Sequence, residues 1–202
     1  MYWYKGDIEW LEKTEIIKNN KKNVVFLGSS SFTLWSTMHD DFNSFNAINL
    51  GFGGSTLAAC TWFYDRIVPR LKPDAIFVYA GDNDLGDGRT PEEVILFYYQ
   101  LITTARKFDS QVPICFISIK LSPSRLRLKG SIEYANKCIH DFIAKEPKSN
   151  NLFYLDIYSK MNRKEGQIDI SLFETDGLHL SRKGYLLWIE EINQKFTEIF
   201  KN

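Results

Sequence analysis

Hydrophobic positions in this chain follow two spacings that alternate from one end to the other. Short, nearly continuous apolar runs rich in β-branched and aromatic residues occur at "NVVFLG" (23–28), "NAINLG" (46–51), "AIFVYAG" (75–81), "PICFISI" (113–119) and "NLFYLDI" (151–157). Each is bounded by turn-forming residues and has the length of a buried strand. Elsewhere the apolar positions recur every three or four residues. One such stripe is Val94, Tyr98, Leu101 and Ala105, and another is Ile132, Ala135, Ile139 and Phe142. A third closes the chain, with Tyr185, Trp188, Ile189, Ile192, Phe196 and Ile199. These stripes predict helices with one buried face. Strands alternating with helices predict right-handed crossovers and an α/β fold, a three-layer α/β/α, flavodoxin-like sandwich around a five-stranded parallel sheet. No internal repeat or low-complexity linker interrupts the alternation, so residues 1–202 are expected to form a single domain.

Charge narrows the partners. The 25 basic and 25 acidic side chains cancel, so the summed field offers no general attraction for nucleic acid or anionic lipid, and a small-molecule partner is expected. No apolar run approaches the length of a membrane span. Cys60, Cys115 and Cys138 make an odd count inside apolar stretches, without metal-ligand spacing. That pattern fits reduced thiols and a cytoplasmic protein rather than a disulfide framework. The opening "MYWYKGDIEWLEK" mixes aromatics with charges and reads as no signal peptide.

In open parallel sheets ligands bind beyond the carboxyl ends of the strands. Four polar or glycine-rich stretches lie at such places or ahead of the last helix: "GSSS" (28–31), "NLGFGGST" (49–56), "AGDND" (80–84) and "TDGLHLS" (175–181). A serine hydroxyl is a weak nucleophile until a base takes its proton, so a serine hydrolase needs a histidine in reach. Of the three histidines, His39 lies in a polar loop and His140 beside the apolar stripe of its helix, both expected at the surface. His179 stands three residues after Asp176, close enough for a carboxylate to orient its ring. Each stretch also has a plain structural reading, as an N-cap, a tight turn or a side-chain-bonded loop. Together they supply a nucleophile, a glycine N–H, a carboxamide donor and a base with its carboxylate, the parts of an acyl-transfer site. This chemistry alone leaves Ser29, Ser30 and Ser31 undistinguished as the nucleophile.

The blocks "FLGSSS", "NLGFGGST", "GDND" and "DGLH" stand in the order found in the SGNH or GDSL hydrolases, and the sequence is identified as resembling that family over residues 26–179. The wording, including Trp35, "GFGGS", "YAGDND" and "SIKLSPSR", is similar to a bacterial esterase branch that itself resembles the catalytic subunits of platelet-activating-factor acetylhydrolase. The resemblance implies a serine esterase that needs no cofactor and no metal and acts on a small-molecule ester. Aligning "GSS" on the family's "GDS" implies Ser30 as nucleophile and puts Ser29 where aspartate is usual, a departure that a capping serine hydroxyl could offset. On the same register Asp176 and His179 complete the triad. The oxyanion donors are the N–H groups of Ser30 and Gly54 and the amide of Asn83. No "GxSxG" elbow is present, which disfavours the α/β-hydrolase fold.

Further residues are candidates for substrate binding. Lys120, Ser122, Ser124 and Arg125 follow the fourth strand and either line the rim or form a solvated basic loop. Trp35, Phe52, Trp62 and Phe173 lie near the motifs and either wall an acyl pocket or belong to the core. Two rival functions compete with this one. A non-catalytic flavodoxin-like module would cradle a phosphate or flavin on "GSSS", yet it has no use for the Asp176 and His179 pair. A metal-dependent hydrolase would draw on Asp82, Asp84, Asp176 and His179, but one histidine among carboxylates is a poor ligand set for it.

Overall fold

The five apolar runs form five strands in the computed structural model, which describes residues 1–162 and 167–201. They are β1 (Asn23–Gly28), β2 (Asn46–Gly51), β3 (Ala75–Tyr79), β4 (Ile114–Ile117) and β5 (Leu152–Leu155). All pairings are parallel, in the order β2-β1-β3-β4-β5. β1 and β2 end with their apolar runs, whereas β3 and β4 end two residues earlier, because Ala80, Gly81, Ser118 and Ile119 begin the loops that follow.

Side chains alternate across a strand, and the sheet therefore builds two cores. Val25, Leu27, Ile76, Val78, Ile114 and Phe116 face one way, where α1 (Lys5–Leu11), α4 (Leu57–Ile67), α6 (Pro91–Phe108) and α7 (Lys129–Lys145) supply the cover. Val24, Phe26, Phe77, Cys115 and Ile117 face the other way. There they meet α2 (Ser30–Thr33), α3 (Met38–Asp41), α8 (Ile157–Met161) and α9 (Arg182–Lys201). The helical stripes are the buried faces: Val94, Tyr98, Leu101 and Ala105 are each fully buried. Phe142, Ile189 and Phe196 lie at the margins of their stripes and pack partly buried. Among the described residues no helix is long and apolar enough to cross a membrane.

The order of strands fixes where a ligand can sit. From β1 the chain steps outward to β2 and then crosses back to β3 on the other side of β1. The two crossovers leave in opposite directions and open a crevice at the carboxyl ends of β1 and β3, the switch point at which this doubly wound topology binds ligands. The strands end level there, with Gly28 opposite Gly51 on one side and Tyr79 on the other.

That level ending leaves no room for a side chain at position 28. A Cβ on Gly28 would lie 2.0 Å from the carbonyl oxygen of Tyr79, the same oxygen that accepts the Ser29 N–H at 3.0 Å. Gly28→Ala must therefore push β1 and β3 apart, a backbone shift of the kind that costs about 1–3 kcal/mol or more. Urea unfolding should show a loss of that size, and a midpoint equal to the parent's would mean the strands part freely.

Candidate active site

After Gly28 the chain turns at Ser29, whose extended backbone (φ −91°, ψ −163°) precedes the first turn of α2. A capping hydroxyl is the expectation at this position, and the structure corrects it: Ser29 makes no side-chain cap, and its Oγ is buried without a partner. Backbone bonds brace the turn instead, Ser29 N–H to Tyr79 and Phe32 N–H to the Ser29 carbonyl at 2.9 Å. Ser31 is buried at 1% exposure, which leaves Ser30 as the one serine of the three with its surface partly open. With only four residues, α2 adds little macrodipole to this end of the sheet.

The histidine arrives on the loop before α9. Residues 173–180 form a tight reversal closed by a bridge between Phe173 and Leu180 and by the Glu174 N–H donating to the His179 carbonyl at 2.8 Å. Inside this loop the Oδ1 of Asp176 accepts the backbone N–H groups of Leu178 (2.8 Å) and His179 (3.0 Å). Its Oδ2 lies 2.6 Å from His179 Nδ1, and His179 Nε2 lies 3.1 Å from Ser30 Oγ. With Nδ1–H donating to the carboxylate, Nε2 is the free lone pair that accepts the serine hydroxyl. The two backbone N–H groups, followed by the imidazole, hold the Asp176 carboxyl down to about 2.

Two further loops close on the same crevice. Gly54 has φ +69°, a left-handed conformation that a side chain resists, and its carbonyl accepts the Tyr4 hydroxyl at 2.8 Å. Asn83, in α5 (Asp82–Gly86), donates one Nδ2–H to the Ser55 carbonyl at 3.1 Å. A carboxamide nitrogen carries two hydrogens, so this bond fixes the amide plane and leaves the second to donate elsewhere. The structure thus brings Ser30, Gly54, Asn83, Asp176 and His179 from four segments to one rim.

The substrate-binding candidates fare differently. Lys120 is neither a rim residue nor part of a solvated loop: it is 2% exposed beneath the site. Arg125 packs on α5, where a Cβ on Gly86 would meet its guanidinium at 2.3 Å. Ser122 is buried, whereas Ser124 is exposed and ties its N–H to the Gly177 carbonyl at 3.0 Å. Trp35, Phe52 and Phe173 are core residues with at most 7% exposure, because aromatic rings at the sheet end find each other: Trp35 packs on Tyr185 at 4.7 Å and Phe52 on Tyr4 at 5.2 Å. Trp62 is exposed on α4. A hollow of about 310 Å³ lies beside His179, lined by Leu34, Ser36, Glu174, Arg182 and the edges of Trp35 and Tyr185. Another of about 310 Å³ lies beside Gly54, lined by Trp3, Tyr4, Thr56, Asp87 and Arg89. His39 and His140 are exposed, away from these residues. Asp82 and Asp84 are committed to Lys120 and to Arg89 with the Leu57 N–H. Among the described residues no three His, Cys, Asp or Glu side chains are grouped to hold a metal ion.

What holds the histidine loop against the serine was not apparent in the motifs. Arg182 grips Asp41 through two hydrogen bonds, Nη2 to Oδ1 at 2.6 Å and Nη1 to Oδ2 at 2.7 Å. The indole N–H of Trp35 donates to the same carboxylate at 2.7 Å. Tyr185, one turn into α9, donates its hydroxyl to the Ser31 carbonyl at 3.1 Å. The start of α9 is therefore tied at two points to the segment that follows the nucleophile turn.

Comparison with known proteins gives the family and the fold. The profile of the GDSL-like Lipase/Acylhydrolase family matches residues 27–187. Against curated protein sequences the chain has no significant match. Among solved structures it is similar to a Streptococcus pneumonia protein named after platelet activating factor, with TM-score 0.80 and 18% identity over 95% of this chain and 91% of that one. It is also similar to a GDSL-like lipase from Bacteroides thetaiotaomicron, with TM-score 0.75 and 20% identity over 98% and 97%. A carbohydrate esterase family 3 protein from Talaromyces cellulolyticus superposes with TM-score 0.71 and 16% identity over 89% and 98%. At these identities the likeness fixes the fold.

The clamp on Asp41 has a measurable signature. Arg182 first, with Thr37 and Trp35, holds the Asp41 carboxyl well below the usual carboxylate range, so the charged form is favoured on folding. Asp41→Ala leaves the indole N–H of buried Trp35 without its partner, a loss of about 1–3 kcal/mol. A depressed carboxyl contributes stability that is full above its unfolded value, near about 3.9, and fades as the pH falls below it. Urea unfolding of parent and variant should differ fully at neutral pH and converge progressively below pH ~4. A gap that is constant with pH would assign the effect to packing rather than to the charge.

Proposed function

The chain belongs to the GDSL-like lipase/acylhydrolase family, serine hydrolases that act on ester bonds, and on that premise we propose that it cleaves esters of small acyl groups by two-step acyl transfer through Ser30, His179 and Asp176. The observation that carries the reading is the unbroken chain of contacts from Asp176 Oδ2 to His179 Nδ1 at 2.6 Å and from His179 Nε2 to Ser30 Oγ at 3.1 Å.

The chemistry follows from that geometry. As Ser30 Oγ bonds to the substrate carbonyl carbon, its proton passes to His179 Nε2. Asp176 stays ionised, since its carboxyl is held down to about 2, and it stabilises the imidazolium rather than accepting the proton. Negative charge gathers on the former carbonyl oxygen. Facing it are the N–H of Ser30, one of the helix-start groups that the helix leaves unpaired, the N–H of Gly54 and the second Nδ2–H of Asn83. The tetrahedral centre collapses by breaking its bond to the alcohol oxygen, which takes the proton from Nε2. Water then attacks the acyl-serine by the same route and returns Ser30 and the carboxylic acid.

Two observations favour small acyl groups. The hollow beside His179 holds about 310 Å³, and the large aromatics nearest the site are spent in the core. A chain that stays in water forfeits the ~0.8 kcal/mol that burial of each methylene brings. The similar structures named as a lipase and as a carbohydrate esterase make lipid esters and acetylated sugars the alcohols to compare. Ser30, Gly54, Asn83, Asp176 and His179 share one sheet end, which supports a single catalytic domain, and the free thiols Cys60, Cys115 and Cys138 suit the cytoplasm.

Kinetics with p-nitrophenyl acetate test the roles. Ser30→Ala and His179→Ala should lose turnover with the fold retained, whereas Ser29→Ala, Ser31→Ala, His39→Ala and His140→Ala remain active. Asn83→Ala should lower kcat by about 10² to 10³ with little change in KM, the usual cost of one oxyanion donor. Activity persisting in Ser30→Ala would end the nucleophile assignment, and a normal kcat in Asn83→Ala would reduce that residue to a turn former.

Acyl length is tested separately. Across p-nitrophenyl acetate, butyrate, octanoate and palmitate, kcat/KM should be highest for the two shortest, because longer chains gain little burial and must still be ordered. A maximum at octanoate or beyond would show that an apolar channel opens in solution and would shift the reading toward a lipase.

A further inference from the structure

A lysine that is 2% exposed is an expense to the fold, since a buried ammonium loses its hydration and is kept only where it is paired and hydrogen-bonded. Lys120 meets that condition in full. Its Nζ carries three hydrogens and has three oxygen partners: Tyr79 Oη at 2.9 Å, Ser31 Oγ at 3.3 Å and Asp82 Oδ2 at 3.3 Å. The same Nζ stands 5.0 Å from the Tyr79 ring centre. The backbone is built to aim it inward. Beyond β4 the chain is pinned at Ile119 by buried Asn136 of α7, which accepts the Ile119 N–H and donates to its carbonyl, each at 2.8 Å.

The partners are placed at two catalytic turns. Ser31 directly follows Ser30, and Asp82 directly precedes Asn83. Asp82 continues the connection, because its Oδ1 accepts the Asn83 N–H at 3.1 Å while its Oδ2 faces the ammonium. One charged group thus joins the ends of β1 and β3, which Gly28 and Tyr79 bring together at the switch point. A neutral apolar side chain of the same length would fill this space with less desolvation penalty, as replacement of buried ion pairs generally shows. Stability alone is therefore a weak account of the pair.

We propose that Lys120 is a positioning residue for the acyl-transfer reaction, one that sets the distance between the nucleophile turn at Ser30 and the oxyanion amide of Asn83 through Ser31 and Asp82. The inference rests on the roles given above to Ser30 and Asn83. It replaces the substrate-rim reading of "SIKLSPSR" for Lys120, whose burial keeps it from substrate. Displacement of a donor by even ~1 Å can cost about 10²-fold in rate, and a group that only aligns the transition state changes kcat with little effect on KM.

The test is a set of kcat and KM values with p-nitrophenyl acetate for Lys120→Met, Lys120→Met with Asp82→Asn, Asn83→Ala, and Lys120→Met with Asn83→Ala. The second variant removes both buried charges, so it remains folded even where Lys120→Met alone, which strands the Asp82 carboxylate, does not. Thermal melts establish the folded state of each. The expected result is a kcat lowered by about 10- to 100-fold in both Lys120 variants with KM within about twofold. Added to Asn83→Ala, Lys120→Met should lower kcat by no more than about threefold, because residues that act as a unit are not additive. A fully active Lys120→Met with Asp82→Asn overturns the inference, and so do losses that multiply with Asn83→Ala, which is what a general loosening of the fold gives. If Asn83→Ala itself keeps the parent kcat, the oxyanion reading fails and the positioning role falls with it.

Discussion

Ser30 Oγ and His179 Nε2 are separated by 149 positions in the chain and meet at 3.1 Å, and much of the molecule is arranged around that meeting. The hydroxyl comes from the end of a central strand, so its place is set by the sheet. The imidazole comes from a loop, which is a far less rigid support, and the structure compensates with fixed points on either side of it. Asp176 locks the ring from within the loop, and Ser124 N–H holds the Gly177 carbonyl. Arg182 and Tyr185 then tie the helix that follows to Asp41 and to Ser31. A pair held this closely by its surroundings has the preorganisation that acyl-transfer chemistry requires.

The sheet supplies the second half of the arrangement. Because β1, β2 and β3 end level, the serine turn, the Gly54 loop and the Asn83 helix emerge side by side. Each is bonded to another element: Gly54 to Tyr4 near the amino terminus, Asn83 to Ser55, and Asp82 with Ser31 to Lys120. Asn83, Asp82, Lys120 and Ser31 form one run of hydrogen bonds across the ends of β1 and β3. Ser29 is the exception. Its hydroxyl is buried and unpartnered, and the turn it belongs to relies on backbone bonds where the family usually has an aspartate.

The architecture was legible in the sequence because its determinants are local. Apolar runs of strand length and stripes of helical spacing translate directly into the five strands and the faces of α6, α7 and α9. The candidate site residues were legible as a group for a related reason, since each sits in a short glycine-rich or polar block immediately after a strand or before the last helix. Side chains whose surroundings are assembled from distant segments were not. Lys120 reads as a surface lysine until Asn136 turns the backbone inward. Trp35, Phe52 and Phe173 read as pocket or core alike until the aromatic clusters around them bury them, with only an edge of Trp35 left on the hollow beside His179. The Asp41 and Arg182 clamp spans 141 positions and has no local pattern at all. Sequence offers candidates for chemistry here more readily than it shows which residues hold them in place.

The central claim is that Ser30 carries the acyl group between the two halves of the reaction. Rapid acid quench of the enzyme during turnover of p-nitrophenyl acetate, followed by mass analysis of its peptides, tests that claim without relying on a variant. The account predicts one acetyl group on the peptide containing residues 29–31, located by fragmentation to Ser30 and formed no more slowly than steady-state turnover. An acetyl group on Ser29 or Ser31, or turnover with no acylated serine at any time, would contradict it.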